Sequence, residues 1–426
     1  MLILSKSNSN NIFKNMLILA TGAGFAQLIN FASMPIITRI YSPSDIGLLS
    51  LFVAIVSSIV PLTSLRYNTP IPLIKNNRLA VNLLTLSFIF ILFFTTLVTI
   101  ILSIFSTTIL NLFSANSLIQ YWYFIPITIF FISIYELINS FALGNKKFKE
   151  ISKSNTIQAL LGGLTKIGLG LIGLKPLGLI IGTLVTNFTG AIYLLKTQLH
   201  CIQNNTKYIS KSKMYFLFNR FHEFPKYRLP SQFLLIFSKQ IPLFFLAFLY
   251  TPEYVGYFAL TTLTLSVPFT LFGNTTGQAY YAEIAKIGSN NSQRVYDLTK
   301  NVLKKLFLFG LIPFIIILFL SPALFSFVFG EKWIVSGEFA SILSFYTLAA
   351  FISSPLVHTL NIYKNQIKFL FLNILRLIVN CIVFIISWIF SFSIYETIIT
   401  YSIGMSIYFL FMTFYIFRTI KSHIKD

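Results

Sequence analysis

Acidic residues are scarce in this sequence: 11 Asp and Glu stand against 32 Lys and Arg in 426 residues, a formal net charge of +21. Charged residues of both signs make up only 10% of the chain, too few to clothe a soluble protein of this length. Cysteine is nearly absent. Cys201 falls in a polar loop and Cys381 inside an apolar run, which excludes a disulfide between them. The four histidines (His200, His222, His358 and His423) never share a helix face at metal-ligand spacing, so no metal centre is expected. Neither a phosphate-binding lysine loop nor a dinucleotide fingerprint occurs, and no cofactor follows from the motifs. With no nucleophile–base set either, the chain does not read as an enzyme.

What it has is apolar sequence. Residues of that class make up 56% of the chain, the mean hydropathy is +0.79, and runs of 20 or more recur from end to end. About 20 such residues span the hydrocarbon core as a helix. Twelve spans are expected, near 16–38, 46–65, 81–104, 119–142, 153–174, 177–195, 229–250, 255–278, 303–321, 339–360, 366–388 and 395–417. The first is too long for a cleaved signal and lacks a small-residue cleavage site, so it is expected to stay as a span.

The positions of the basic residues argue against nucleic acid as the partner of so positive a chain. With both termini placed in the cytoplasm, 26 Lys and Arg fall on the cytoplasmic side. Three fall outside (Arg39, Lys175, Lys332) and three within spans. That asymmetry is the positive-inside rule, and it sets the expected orientation in the membrane. Trp122, Trp333 and Trp388 all fall at outer span ends, where interfacial anchors are expected. The stretch 196–228 carries seven basic residues and one acid, Glu223, a composition that attracts anionic lipid.

Two segments echo one another. Tyr41-Ser-Pro-Ser-Asp-Ile-Gly47 and Tyr250-Thr-Pro-Glu-Tyr-Val-Gly256 lie 209 residues apart, each after one span and opening the next. A second echo pairs Lys146 and Asn155 with Lys364 and Asn373 at an offset of 218. The expected organisation is a duplication: a six-helix lobe over 1–200, a basic cytoplasmic linker over 201–228 and a second six-helix lobe over 229–426. Duplicated lobes are a common build of secondary transporters.

Specific motifs add a family resemblance. Arg39-x-Tyr41-x-Pro43-x-x-x-Gly47 followed by Leu65-Arg66-Tyr67, then Phe224-Pro225-Lys226-Tyr227 with Pro230, Ser238 and Pro242, resembles the bacterial polysaccharide (O-antigen and capsule) repeat-unit flippases. Phe325-x-x-Val-Phe-Gly330-x-x-Trp333-x-x-x-Gly337 resembles the loop between spans nine and ten of that family. The chain departs from it after Arg66-Tyr67, where Asn68-Thr69-Pro70 replaces an acid and a small residue. The resemblance implies the multidrug/oligosaccharidyl-lipid/polysaccharide exporter fold, all-α and integral to the membrane, with two pseudo-symmetric lobes around a central cavity. It also implies alternating access and a substrate, an oligosaccharide on undecaprenyl pyrophosphate, passed from the cytoplasmic to the periplasmic leaflet. A polysaccharide polymerase and a chain-length regulator of the same pathway are the implied partners. An ion-coupled exporter of small molecules on the same fold, and the polymerase itself, are the rival readings.

Three cations lie within spans: Lys166, Lys239 and Arg376. Each costs about 2.5–3.5 kcal/mol at a helix centre facing lipid, so together they are worth about 8–10 kcal/mol and must face protein or water. Polar residues recur beside them at helical steps: Asn155, Gln158, Gly162 and Lys166; Asn373, Arg376 and Asn380; Ser266, Thr270, Asn274 and Gln278; Gln27, Asn30 and Ser33. Several helices with one polar face each imply a shared wet cavity. Its cations suit a pyrophosphate, with Lys239 first, Lys166 and Arg376 next, and Arg66 at the cytoplasmic mouth. Glu136 is the acid well inside a span. It reads either as a site that couples transport to a proton or Na⁺ gradient, or as a static ion pair with one of the cations. Pro35, Pro61, Pro242 and Pro268 read as hinges or as fixed kinks.

Overall fold

The computed structural model describes residues 6–268, 273–288, 291–363 and 366–425. Regular structure among them is helical, with no strand. In a bilayer, where no water meets exposed backbone groups, a helix satisfies its own N–H and C=O. The chain divides into two compact units, Met1–Ile236 and Phe237–Asp426.

The first unit contains α1 (Lys6–Ile40), α2 (Pro43–Thr63), α3 (Asn77–Leu112), α4 (Phe124–Gly144), α5 (Phe148–Leu171), α6 (Leu177–Thr206), α7 (Lys211–Arg220) and the start of α8 (Leu229–Leu249). The second contains the rest of α8, then α9 (Pro252–Pro268), α10 (Asn274–Ile287), α11 (Ser292–Phe329), α12 (Ile334–Ser353), α13 (Thr359–Ile362), α14 (Gln366–Ile389) and α15 (Ile394–Lys425). The unit boundary thus falls inside α8 rather than at residue 229. The basic linker is itself largely helical, since α6 runs on to Thr206 and α7 follows.

Each expected span has its helix. Nine helices among the described residues are long and apolar enough to cross a membrane. Of the remaining three, α1 and α5 are interrupted by polar and glycine residues, and α9 has only 17 residues. Residues 269–272 and Lys364, used in the sequence echoes and polar stripes, lie outside the described residues.

The echoed Tyr-x-Pro segments do the same work in each unit. Ser42 caps α2 by accepting from Asp45 N at 3.2 Å, while Asp45 Oδ2 accepts from Ser42 N at 2.9 Å, and Pro43 opens the helix. Tyr41, fully buried, donates its hydroxyl to Lys166 O at 2.8 Å and sits where Gly170 and Gly178 flank the turn between α5 and α6. In the second unit Pro252 opens α9, and Tyr250 donates to Phe392 O at 2.8 Å, in the turn between α14 and α15.

Helices α5 and α6 meet along small residues. Gly178, Gly182, Thr186 and Gly190 recur every fourth residue on α6 and let the backbones approach. A Cβ on Gly182 would stand 2.3 Å from Lys166 Cγ, and one on Gly190 would stand 2.3 Å from Gln158 Cδ. Trp333 departs from the interfacial expectation. It is 0% exposed, packed edge-on to Tyr257 with ring centroids 5.8 Å apart, because the turn Glu331–Trp333 folds it under α9. Trp388 is well exposed, as an anchor would be.

Packing in the second unit is tightest at Gly337, where a Cβ would stand 2.5 Å from Pro322 Cα and 2.6 Å from Ser321 O, both backbone atoms that cannot swing aside. Gly337→Ala is expected to destabilise the detergent-solubilised protein by about 1–3 kcal/mol. Gly24→Ala, with nothing within 4 Å of its Cβ, is expected to be neutral or to gain up to about 1 kcal/mol of helix propensity. Thermal melts of the two variants check the contrast.

Candidate functional site

In the first unit the loop after α2 is built around Arg66. Leu65 and Arg66 both occupy the left-handed region, at φ 45° and 61°, which costs a non-glycine residue on the order of 1 kcal/mol. The next two side chains hold them there. Tyr67 is fully buried between Phe90 and Phe218, ring centroids 5.7 and 5.5 Å away, and donates to Phe218 O at 3.1 Å. Asn68 accepts from Ser64 Oγ at 3.1 Å.

This turn aims Arg66 at Glu136 on α4, with Nη1 3.6 Å from Oε2, and Asn68 Nδ2 donates to the same oxygen at 3.5 Å. Arg66 Nε is buried with no partner. Burial pulls the Arg66 guanidinium below its ordinary pKa, the Glu136 carboxylate opposes that shift, and nearby Arg228 adds to it. Glu136 is therefore matched with the cation at the end of α2. Asn68, at the position where the chain departs from the resembled motif, supplies that carboxylate with a hydrogen bond. Arg228 was not singled out by sequence reading; its place in the basic run 196–228 was the available signal.

The polar stripe on α5 turns in more than one direction. Asn155 Oδ1 accepts from Tyr135 of α4 at 2.7 Å. Gln158 is buried against α6 and donates to Ser154 Oγ at 3.2 Å, and Gly162 faces Thr186. Lys166 is half-buried, its stem lying over Gly182. Among the described residues no carboxylate pairs with it; the ion pairs found are Arg66–Glu136, Lys153–Glu150 and Lys286–Glu283. On α1, Gln27 is half-buried and Asn30 exposed. Much of the α5 stripe is thus a helix–helix seam, a role that residue spacing alone does not separate from the lining of a cavity.

The second unit gathers Lys239 and Arg376. Lys239 sits at the middle of α8, close enough to Arg376 on α14 for the two like charges to interact. Neighbouring Ser238 O accepts from Asn380 Nδ2 at 2.9 Å. On the same face of α14 as Asn380, Arg376 Nε and Asn373 Nδ2 are buried without a partner among the described residues, and so is Asn380 Oδ1. The guanidinium stands 6.0 Å from the Phe409 ring centroid, and its charge reaches Tyr346, Tyr401 and Tyr408. Sequence reading passed over these tyrosines, although Tyr401 and Tyr408, seven residues apart, mark one face of α15. Asn274 opens α10, and its side chain, like Thr270, lies outside the described residues.

A family model described as polysaccharide biosynthesis protein matches residues 36–338. No curated protein sequence matches the chain. Solved structures of the same fold include the lipid II flippase MurJ in an inward closed conformation, 16% identical at TM-score 0.67, with 95% of this chain and 90% of that one covered. An inward-facing multidrug resistance MATE family transporter of the MOP superfamily is 14% identical at TM-score 0.62, covering 96% and 95%. A MOP superfamily transporter from Pyrococcus furiosus, with a binding pocket of reversed polarity, is 16% identical at TM-score 0.61, covering 97% of each. The likeness is one of fold: all-α, integral to the membrane and two-lobed.

The Arg66–Glu136 contact is testable by itself. Arg66→Gln, Glu136→Gln and the double variant form a cycle whose coupling energy, read from denaturation in detergent, is expected near 0.5–1 kcal/mol, because both side chains keep some solvent. A coupling of zero would mean that the strained turn, and not the charge pair, fixes Arg66.

Proposed function

Because the chain belongs to the polysaccharide biosynthesis protein family, we propose that it is a flippase. Its cargo is an undecaprenyl-pyrophosphate-linked oligosaccharide repeat unit, carried by alternating access from the cytoplasmic to the periplasmic leaflet of the bacterial inner membrane. The product serves O-antigen or capsule assembly, with a polysaccharide polymerase and a chain-length regulator acting after it. Both termini lie in the cytoplasm, with the basic loops.

One observation carries the reading: cations inside the membrane helices of both units lack a carboxylate partner among the described residues. A structural ion pair would have had its acid. A pyrophosphate brings roughly two negative charges of its own into that low-dielectric zone, where charge-assisted hydrogen bonds are strong. Lys239 and Arg376 receive it, Lys166 serves the first unit, and Arg66 acts at the cytoplasmic mouth. Gln27 and Asn30 add polar lining in the first unit and Asn373 in the second; Asn155 and Gln158 are taken up by helix–helix contacts. The lipid tail remains in the bilayer while the sugar crosses. The known likeness to a flippase of lipid II, a lipid-linked cargo, supports this class. A multidrug resistance transporter shares the fold, but a donor set of cations suits anionic cargo.

Glu136 is the coupling group in this proposal. Its carboxylate exchanges Arg66 for a proton or Na⁺, so each cycle consumes the gradient. Glu136→Gln is expected to flatten the dependence of transport on pH or on Na⁺; full transport with an unchanged dependence would remove Glu136 from coupling.

The decisive experiment deletes the gene and measures undecaprenyl-pyrophosphate-linked units in each leaflet by enzymes confined to the outside. Complete single repeat units are expected to accumulate on the cytoplasmic face. Their normal appearance outside would move the assignment to the polymerase step. In complemented cells Lys239→Gln and Arg376→Gln are each expected to reduce flux about 10–100-fold, the worth of one charged hydrogen bond, and Lys239→Arg should keep most of it.

A further inference from the structure

A second group of cations lies in the first unit, apart from those used above. Arg78, in the first turn of α3, places its Cζ 4.1 Å from the ring centroid of Tyr208. Lys207 Nζ and Lys213 Nζ stand 5.3 and 5.8 Å from the same centroid, and Lys213 Nζ donates to Tyr208 O at 3.2 Å. Among the described residues no carboxylate pairs with any of the three. Tyr208 is held in place from α3: Asn82, fully buried, donates its Nδ2 to Tyr208 O at 3.0 Å, and its Oδ1 accepts from Ser210 N at 2.9 Å.

Three like charges around one ring repel each other. A tyrosine face returns only about 0.5–1 kcal/mol per cation at an exposed site, so the arrangement lacks an anion. The neighbouring surface says which kind. Helix α7, directly after Lys207 and Tyr208, is anchored by Leu217, which is 1% exposed, and presents Tyr215 (69% exposed) and Phe216 (53%) with Lys211 and Arg220. Exposed aromatics flanked by basic residues mark a helix that lies in the membrane interface. Along α3, exposed Phe88 and Ile89 begin ten residues beyond Arg78, about 15 Å at the helical rise. That is the separation between a headgroup phosphate and lipid-facing apolar side chains deeper in the bilayer.

We propose that Arg78, Lys207 and Lys213 form a binding site for the phosphodiester of an anionic phospholipid, with Tyr215 and Phe216 seated among the neighbouring lipids. The site fastens the segment joining the two units to the leaflet at the basic end of the bundle. It does not depend on the cargo proposed above.

Native mass spectrometry of the full-length protein, with phosphatidylglycerol and phosphatidylethanolamine offered in equal amounts, tests this. The protein is expected to retain phosphatidylglycerol preferentially. Arg78→Gln with Lys213→Gln should weaken that retention more than tenfold, at about fivefold per near-surface charge. Lys304→Gln with Lys305→Gln, on α11, should leave it unchanged, and Arg78→Lys with Lys213→Arg should preserve it and so exclude misfolding as the cause. Equal loss in the α11 pair would reduce the effect to net charge and overturn the site. Displacement of phosphatidylglycerol by millimolar inorganic phosphate would make it a site for soluble anions and overturn the lipid assignment. Unchanged retention in the Arg78/Lys213 variant would overturn it outright.

Discussion

A cation inside an apolar bundle must be answered by a counter-charge or by water, and the two units of this protein are organised around that demand. Where a carboxylate is present, as at Glu136, the chain bends its backbone into a strained turn to bring Arg66 to it. Where none is present, the charged groups lie on helix faces with orphaned amides beside them. Arg376 is the clearest case, with Asn373 Nδ2 and its own Nε unpartnered and a ring of aromatic residues around it. A buried donor left without an acceptor costs about 1–3 kcal/mol. Several such groups on one face of α14 are the observation on which the proposed binding role rests.

Rigidity around these groups comes from small residues and tyrosine hydroxyls more than from bulk. The α5–α6 seam closes because Gly182 and Gly190 admit Lys166 and Gln158 side chains that any Cβ would displace. Tyr41 then ties the loop before α2 to the backbone of Lys166 itself. The residue proposed to meet cargo in the first unit therefore has its carbonyl held by the echoed motif. Movement at that motif would be transmitted to α5 through one hydrogen bond and one glycine contact.

Much of the fold was legible in the sequence because hydrocarbon thickness imposes one length on every span, and each expected span has a helix. The site was legible only in its charges. Helical spacing correctly put Asn373, Arg376 and Asn380 on one face of α14, yet the same spacing grouped Gln158 and Gly162 with them as cavity lining, whereas both pack on α6. A polar side chain in a span meets either water or a close neighbouring backbone, and periodicity is identical in the two cases. What separates them is the partner helix, here a run of small residues on α6 that includes Thr186 and Gly190. Trp333 failed for a related reason: its position at a span end was right, but the turn that follows Gly330 buries the ring.

At the offset of the second sequence echo, the two seams differ in kind. An offset of 218 residues sets Asn155 opposite Asn373, Gln158 opposite Arg376 and Gly190 opposite Tyr408. In the first unit an uncharged amide meets a glycine, and the helices close upon each other. In the second a guanidinium meets tyrosines, with Tyr408 donating to Leu372 O at 3.1 Å and the Tyr346 and Tyr401 rings packed edge to face at 5.8 Å. Buried tyrosine rings stand there in place of glycine, so α14 and α15 meet through side chains and not along a glycine seam. The first seam is closed by glycine, whereas the second keeps a guanidinium with buried donors left over; under the proposed function, that difference is why the anionic part of the cargo is assigned to the second unit before the first.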